Sequence, residues 1–287
     1  MWEAEPLGSG AFGTRIVSKD RDSILDLDRD EVIGLFSAGA VQFRGFEVTP
    51  ATFREFTLRF NRSVISHYPA GERRHMGGGT LTVSKDPARI PFHGEFHFLP
   101  NVNDELGPPE LIWLYCVNPG VDGGETLLCD GVRVWPALSA STRALLTEHL
   151  LKYTLDTTAQ TWRSALNVKT RQELDELLST VPGVQSWRLS PAGTLRWVCV
   201  KSALARTRGG SDAFVNSMLC ANPTLDDDTP IPKDVIDDVL DVTDRLTLAV
   251  DYQVNDVVMV DNWRCMHGRR NHDESRQIYF RMGMASF

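Results

Sequence analysis

Hydrophobic and polar positions change their period several times along the chain, and each change predicts an element. Val32, Leu35 and Phe36 recur at helical spacing behind Asp28, a side chain suited to capping, with Gly39 as a stop. That predicts a helix from about 28 to 38. Phe53, Phe56 and Phe60 recur the same way behind Thr49-Pro50, a cap followed by proline at the first helical position. Thr170-Arg171-Gln172-Glu173 is a capping box ahead of Leu174, Leu177 and Leu178. Ser139 or Ser141 opens a helix toward 151, and Val235, Ile236, Val239, Leu240 and Leu246 mark another that starts at Pro232.

Elsewhere the pattern is that of short strands: 40–44, 110–117, 126–130, 187–189 paired with 195–200, 256–261 and 277–284, with 214–220 as a further candidate. Residues 92–100 read as extended. Residues 8–17 read as a turn-rich entry into a strand, and 67–85, with Gly77-Gly78-Gly79, as an irregular loop. No regular β-α-β alternation with a glycine-rich phosphate loop appears. The prediction is a mainly β fold with helical insertions, a barrel or sandwich rather than a doubly wound sheet.

Composition narrows the function classes. The 287 residues are 42% hydrophobic, ample for a core, and the net charge is −8. No basic stripe favours a nucleic-acid partner, and no apolar run approaches the roughly 18 residues that span a bilayer. The opening residues carry no leader pattern, and the five cysteines are scattered without a CxxC pair. Neither a disulfide framework nor a structural zinc site is expected, and the expected location is cytoplasmic.

The candidate chemistry lies in Phe92-His93-Gly94-Glu95-Phe96-His97. In an extended segment, alternate side chains share a face, so His93 and Glu95 point together, with His97 next in line. A further imidazole, His267, arrives in Asp261-Asn262-Trp263-Arg264-Cys265-Met266-His267-Gly268-Arg269. Two imidazoles and one carboxylate on one side of a metal form the facial triad of non-haem Fe(II) oxygenases, which leaves the other side open. His93, Glu95 and His267 are therefore the candidate metal ligands. His97 is read as a packing residue that could also touch substrate or stand in as a ligand.

Four stretches together resemble the TauD/TfdA-type Fe(II)/2-oxoglutarate-dependent dioxygenases: 41–46 with Thr49-Pro50, Phe92-His93-Gly94-Glu95, Gly123-Gly124-Glu125-Thr126-Leu127, and 261–269. The Glu at the carboxylate position is similar to the clavaminate-synthase-like branch, and Ile90-Pro91-Phe92-His93 to carbapenem synthase. The resemblance implies one domain over residues 1–287 with a double-stranded β-helix, or jelly-roll, core. It implies Fe(II) as the metal, and 2-oxoglutarate and O2 as co-substrates. It further implies oxidation of an unactivated C–H bond of a small molecule, with release of succinate and CO2. The outcome would be hydroxylation, desaturation or ring closure, and the substrate an amino acid or natural-product intermediate.

The family anchors the far carboxylate of 2-oxoglutarate on a hydroxyl and an arginine, whose planar fork suits a carboxylate. Thr126 matches the hydroxyl. Thirteen residues separate His267 from Arg281, which fits the spacing, whereas eight separate it from Arg276. Arg281 is the expected anchor and Arg276 the fallback. The stretch from Glu95 to Thr126 is longer than the family's, and Ala285 stands where a second arginine is common. Segments 67–85 and 201–212 are candidate lids, and Arg73, Arg74 and Arg206 candidate partners for an acidic group. The competing readings are a cupin-like metalloenzyme without 2-oxoglutarate, which would lack a buried cation facing the metal, and a non-catalytic jelly-roll binding protein, which would lack metal.

Overall fold

The structure is a computed structural model describing all residues except 9–11, 67–72, 105 and 274. Parts of the 8–17 entry and the 67–85 loop thus lie outside the described residues.

Two β-sheets face each other. The larger runs in the order Trp2–Pro6, Thr14–Ser18, Ala40–Arg44, Val257–Asp261, Leu111–Asn118, Gln277–Ala285, Thr80–Thr82, His75–Gly77, and Asn61–Val64 also pairs with Gln277–Ala285. The smaller runs Leu248–Val250, Thr126–Asp130, Cys265–Arg269, Ile90–His93. This is the expected mainly β architecture with a jelly-roll core.

Side chains alternate across each strand. Ile278, Phe280 and Met282 enter the core between the sheets, where they meet Leu114, Val258 and Leu128. Tyr279 turns the other way, into a layer where Phe43, Trp113 and Tyr115 pack against Phe53 and Phe56 of helix Pro50–Leu58. The outer face of the small sheet, through Leu127, Cys129 and Met266, is covered by Val235, Val239 and Val242 of helix Lys233–Arg245. The central strands of both sheets are therefore buried on both faces, which is why Leu111–Asn118 is apolar almost throughout rather than alternating.

The helix starts follow their caps. Asp28 accepts from the backbone N–H groups of Asp30 and Glu31 ahead of Arg29–Phe36, and Thr49 and Thr170 form capping boxes at Pro50–Leu58 and Arg171–Thr180. Other expectations need correction. Within 67–85, His75–Gly77 and Thr80–Thr82 form a hairpin. Within 201–212 lies one arm of another, Leu204–Arg206 against Asp212–Phe214. The strand expected over 214–220 ends at Phe214: Asn216 accepts from the Met218 N–H at 3.0 Å and turns the chain into helix Met218–Ala221. The strand within 92–100 ends at His93. No helix among the described residues is long and apolar enough to cross a membrane.

Candidate active site

The small sheet brings His93 and His267 together. Strands Cys265–Arg269 and Ile90–His93 are antiparallel with these two residues directly opposite, and their rings stand 4.3 Å apart. Glu95 arrives by another route. The chain leaves the strand after His93 and turns, with Phe96 at φ 60°. A Cβ on Gly94 would lie 2.6 Å from His97 Cδ2 and 2.7 Å from Val215 Cγ1, so only glycine permits so tight a turn. It brings Glu95 Oε2 to 3.4 Å from His267 Nε2 and 3.9 Å from His93 Nε2. One donor atom from each of the three lies within 4.8 Å of the others. Two neutral nitrogens and a carboxylate oxygen converging from one side fit a divalent iron and leave positions for small-molecule ligands.

Hydrogen bonds set which ring atoms are available. His93 Nδ1 donates to the Pro91 carbonyl at 2.9 Å, which fixes the tautomer and leaves the Nε2 lone pair toward Glu95. His267 Nδ1 is buried without a partner among the described residues. Burial alone would raise the pKa of Glu95. The hydrogen bond with His267 and the nearby Arg73 guanidinium override it and hold the pKa at about 2, so the side chain is an anion throughout the neutral range. His97 is different. Its Nε2 donates to the Asn262 carbonyl at 2.9 Å, and burial pushes its pKa down to about 3. A neutral ring whose Nε2 carries that proton is a packing residue against Trp263, not a ligand through that atom.

Asn262 locks the turn that carries Glu95. Its Oδ1 accepts from the Glu95 N–H at 2.7 Å, and its Nδ2 donates to the carbonyls of Glu95 at 2.9 Å and Pro109 at 2.8 Å. The side chain is fully buried, so removing it strands three polar groups away from water. Asn262→Ala is expected to lose about 2–4 kcal/mol of stability in urea unfolding, and Fe(II) affinity with it. A stability within about 0.5 kcal/mol of the parent would show that the turn holds itself.

The cavity beside His93, Glu95 and His267 is lined by Thr126, Arg276, Arg269 and Arg73, among others. Arg276 immediately precedes strand Gln277–Ala285. Its Nη2 reaches Thr126 Oγ1 at 3.4 Å, while Nε and Nη1 are buried without partners among the described residues. Gly124, at φ +78°, makes room for it, because a Cβ there would lie 2.5 Å from Arg276 Cδ. Arg269 donates to the carbonyls of Ser84, Asp86 and Ala88, pinning the segment ahead of His93.

Arg281 is not in this cavity, which corrects the choice made on spacing. It sits on the face of its strand shared with Tyr279, and is 1% exposed in the layer outside the large sheet. There it donates to the Gly78 carbonyl and the Thr80 hydroxyl. Strand alternation places Arg276, Ile278 and Phe280 toward the core and Arg281 away from it. Of the other cations, Arg73 lines the cavity and Arg74 an adjoining groove, while Arg206 pairs with Asp212 in the exposed hairpin. Asn262 was missed at the sequence level.

The chain is similar to known proteins over nearly its whole length. The profile described as "Taurine catabolism dioxygenase TauD, TfdA family" matches residues 3–282. A clavaminate synthase-like protein of Arabidopsis thaliana is 25% identical over 275 residues, spanning 85% of this chain and 81% of the relative. Among solved structures, AAD-2 in complex with Mn(II) and N-oxalylglycine superimposes with a TM-score of 0.64 at 16% identity, covering 100% of this chain and 98% of that one. PvcB of Pseudomonas aeruginosa gives 0.63 at 15%, covering 99% and 91%. A taurine dioxygenase from Burkholderia xenovorans gives 0.60 at 16%, covering 99% and 89%. With a jelly roll, a converging His-Glu-His set and a family match over nearly its whole length, the chain belongs to the TauD/TfdA family of Fe(II)/2-oxoglutarate-dependent dioxygenases.

Proposed function

We propose that the protein hydroxylates an unactivated C–H bond of a small anionic molecule, such as an amino acid or natural-product intermediate. The ligands would be His93 Nε2, Glu95 Oε2 and His267 Nε2, and the far carboxylate of 2-oxoglutarate would be held by Arg276 and Thr126. Iron with 2-oxoglutarate and O2 supplies the oxidising chemistry, in which substrate, 2-oxoglutarate and O2 become hydroxylated product, succinate and CO2.

The observation that carries this reading is Arg276. A guanidinium with two buried nitrogens that find no partner among the described residues, beside a threonine hydroxyl, is a site built for an anion, because leaving such donors dry and unbonded is costly. A cupin-like enzyme that dispensed with 2-oxoglutarate would have no use for it. The substrate class rests on the remaining wall. Arg73 and Arg269 add two guanidiniums, Glu95 is the one carboxylate among the described lining residues, and Ile90 and Val83 supply apolar surface. Such a wall suits negative charge on a compact apolar body. Arg73 lies with its guanidinium 4.9 Å from the centre of the Phe280 ring, which holds it in place at the cavity edge.

The test is an anaerobic titration. A weak visible charge-transfer band that needs both Fe(II) and 2-oxoglutarate is expected, followed in air by succinate release that rises with carboxylate or sulfonate substrates. No band with both present would overturn the proposal.

A further inference from the structure

We infer that Tyr252 is a positioning residue that sets the direction of the Thr126 hydroxyl, so that its single proton faces the bound dicarboxylate; this rests on the 2-oxoglutarate site proposed above. Thr126 opens strand Thr126–Asp130 and lies between two neighbours, opposite Val250 on one side and Arg269 on the other. Two residues past Val250, the Tyr252 side chain packs against the core between the sheets and its hydroxyl donates to Thr126 Oγ1 at 3.2 Å. Arg276 Nη2 approaches the same oxygen at 3.4 Å.

A threonine hydroxyl has two acceptor sites and one proton. An arginine can only donate, so it fills one acceptor site, and Tyr252 fills the other. What remains to Thr126 is its own proton, which must point toward whatever else the cavity holds. A hydroxyl constrained in this way greets an anion as a donor and cannot turn to serve one as an acceptor. Donation from Tyr252 and Arg276 also strengthens the outgoing bond, as in any chain of hydrogen bonds in a dry site. Burial raises the pKa of the Tyr252 phenol, which keeps its proton available for this role.

Tyr252→Phe removes the hydroxyl and keeps the ring, so the packing between the sheets survives. A net hydrogen bond of about 1 kcal/mol predicts a roughly fivefold to tenfold weaker binding of 2-oxoglutarate in the anaerobic titration. Fe(II) affinity is expected to stay the same, and the kinetic loss should fall on the KM for 2-oxoglutarate rather than on kcat. In a Thr126→Val background, which has no hydroxyl to direct, Tyr252→Phe should do nothing further. In a Thr126→Ser background its effect should return. Unchanged 2-oxoglutarate affinity in Tyr252→Phe, or effects of Tyr252→Phe and Thr126→Val that multiply, would overturn the inference. Absence of 2-oxoglutarate binding by the parent protein would instead overturn the site on which it rests.

Discussion

Glu95→Gln is expected to abolish stable Fe(II) binding and to cut turnover on the order of a thousandfold, beyond the 10–100-fold typical of groups that only support a ligand. The substitution preserves size and removes charge. In the present protein the buried carboxylate, at 2% exposure, is the one negative group among the described residues lining a cavity that also contains Arg73, Arg269 and Arg276. Two neutral imidazoles among three guanidiniums would give a dication little reason to enter. Glu95→Asp keeps the charge but shortens the reach, and should recover part of the affinity. Isothermal titration with Fe(II) under nitrogen, alongside succinate production, checks both variants. Parent-like iron affinity in Glu95→Gln would show that the carboxylate is not a ligand.

The two arginines flanking Gln277 to Phe280 are expected to behave in opposite ways. Arg276→Gln should weaken 2-oxoglutarate on the order of a hundredfold with Fe(II) affinity unchanged, because it removes the charged, desolvated donor of an ion pair worth about 2–5 kcal/mol on truncation. Arg281→Ala should leave 2-oxoglutarate affinity within about twofold and instead cost about 2–4 kcal/mol of stability. The carbonyl of Gly78 and the hydroxyl of Thr80 would lose their donor, and a large side chain would vacate the layer outside the sheet. Parallel 2-oxoglutarate titrations and urea midpoints separate the two. The reverse result would place the anchor at Arg281.

The elements governed by local chemistry were readable from the chain. Asp28, Thr49 and Thr170 cap the helices they were expected to cap, because a cap depends only on residues within one turn. The strand holding Thr126 has the predicted limits. The meeting of His93, Glu95 and His267 was also predicted, yet part of the reasoning does not match the fold. Strand alternation was to have aligned His93 with Glu95, whereas the strand stops at His93 and a turn delivers the carboxylate. The turn depends on Asn262, 167 residues downstream, and no local pattern reports a side-chain amide pairing with so distant a main chain. Arg281 shows a different failure. Counting residues from His267 measures contour length, but on a strand the parity of a position decides which face it takes. Arg276 and Arg281 are an odd number of residues apart, so one entering the core implied that the other would not. The Gly124 gap that admits Arg276 was visible as Gly123-Gly124, though its use was not.

The proposed ligands and the proposed anchoring arginine belong to different walls of the sandwich. His93 and His267 sit on the small sheet, Glu95 just beyond its edge, and Arg276 at the head of a central strand of the large one. A dicarboxylate gripped at one end by iron and at the other by Arg276 would therefore act as a rivet through both walls. By linkage, its binding free energy becomes resistance to their parting, and the loaded jelly roll would be mechanically a tighter object than the empty one.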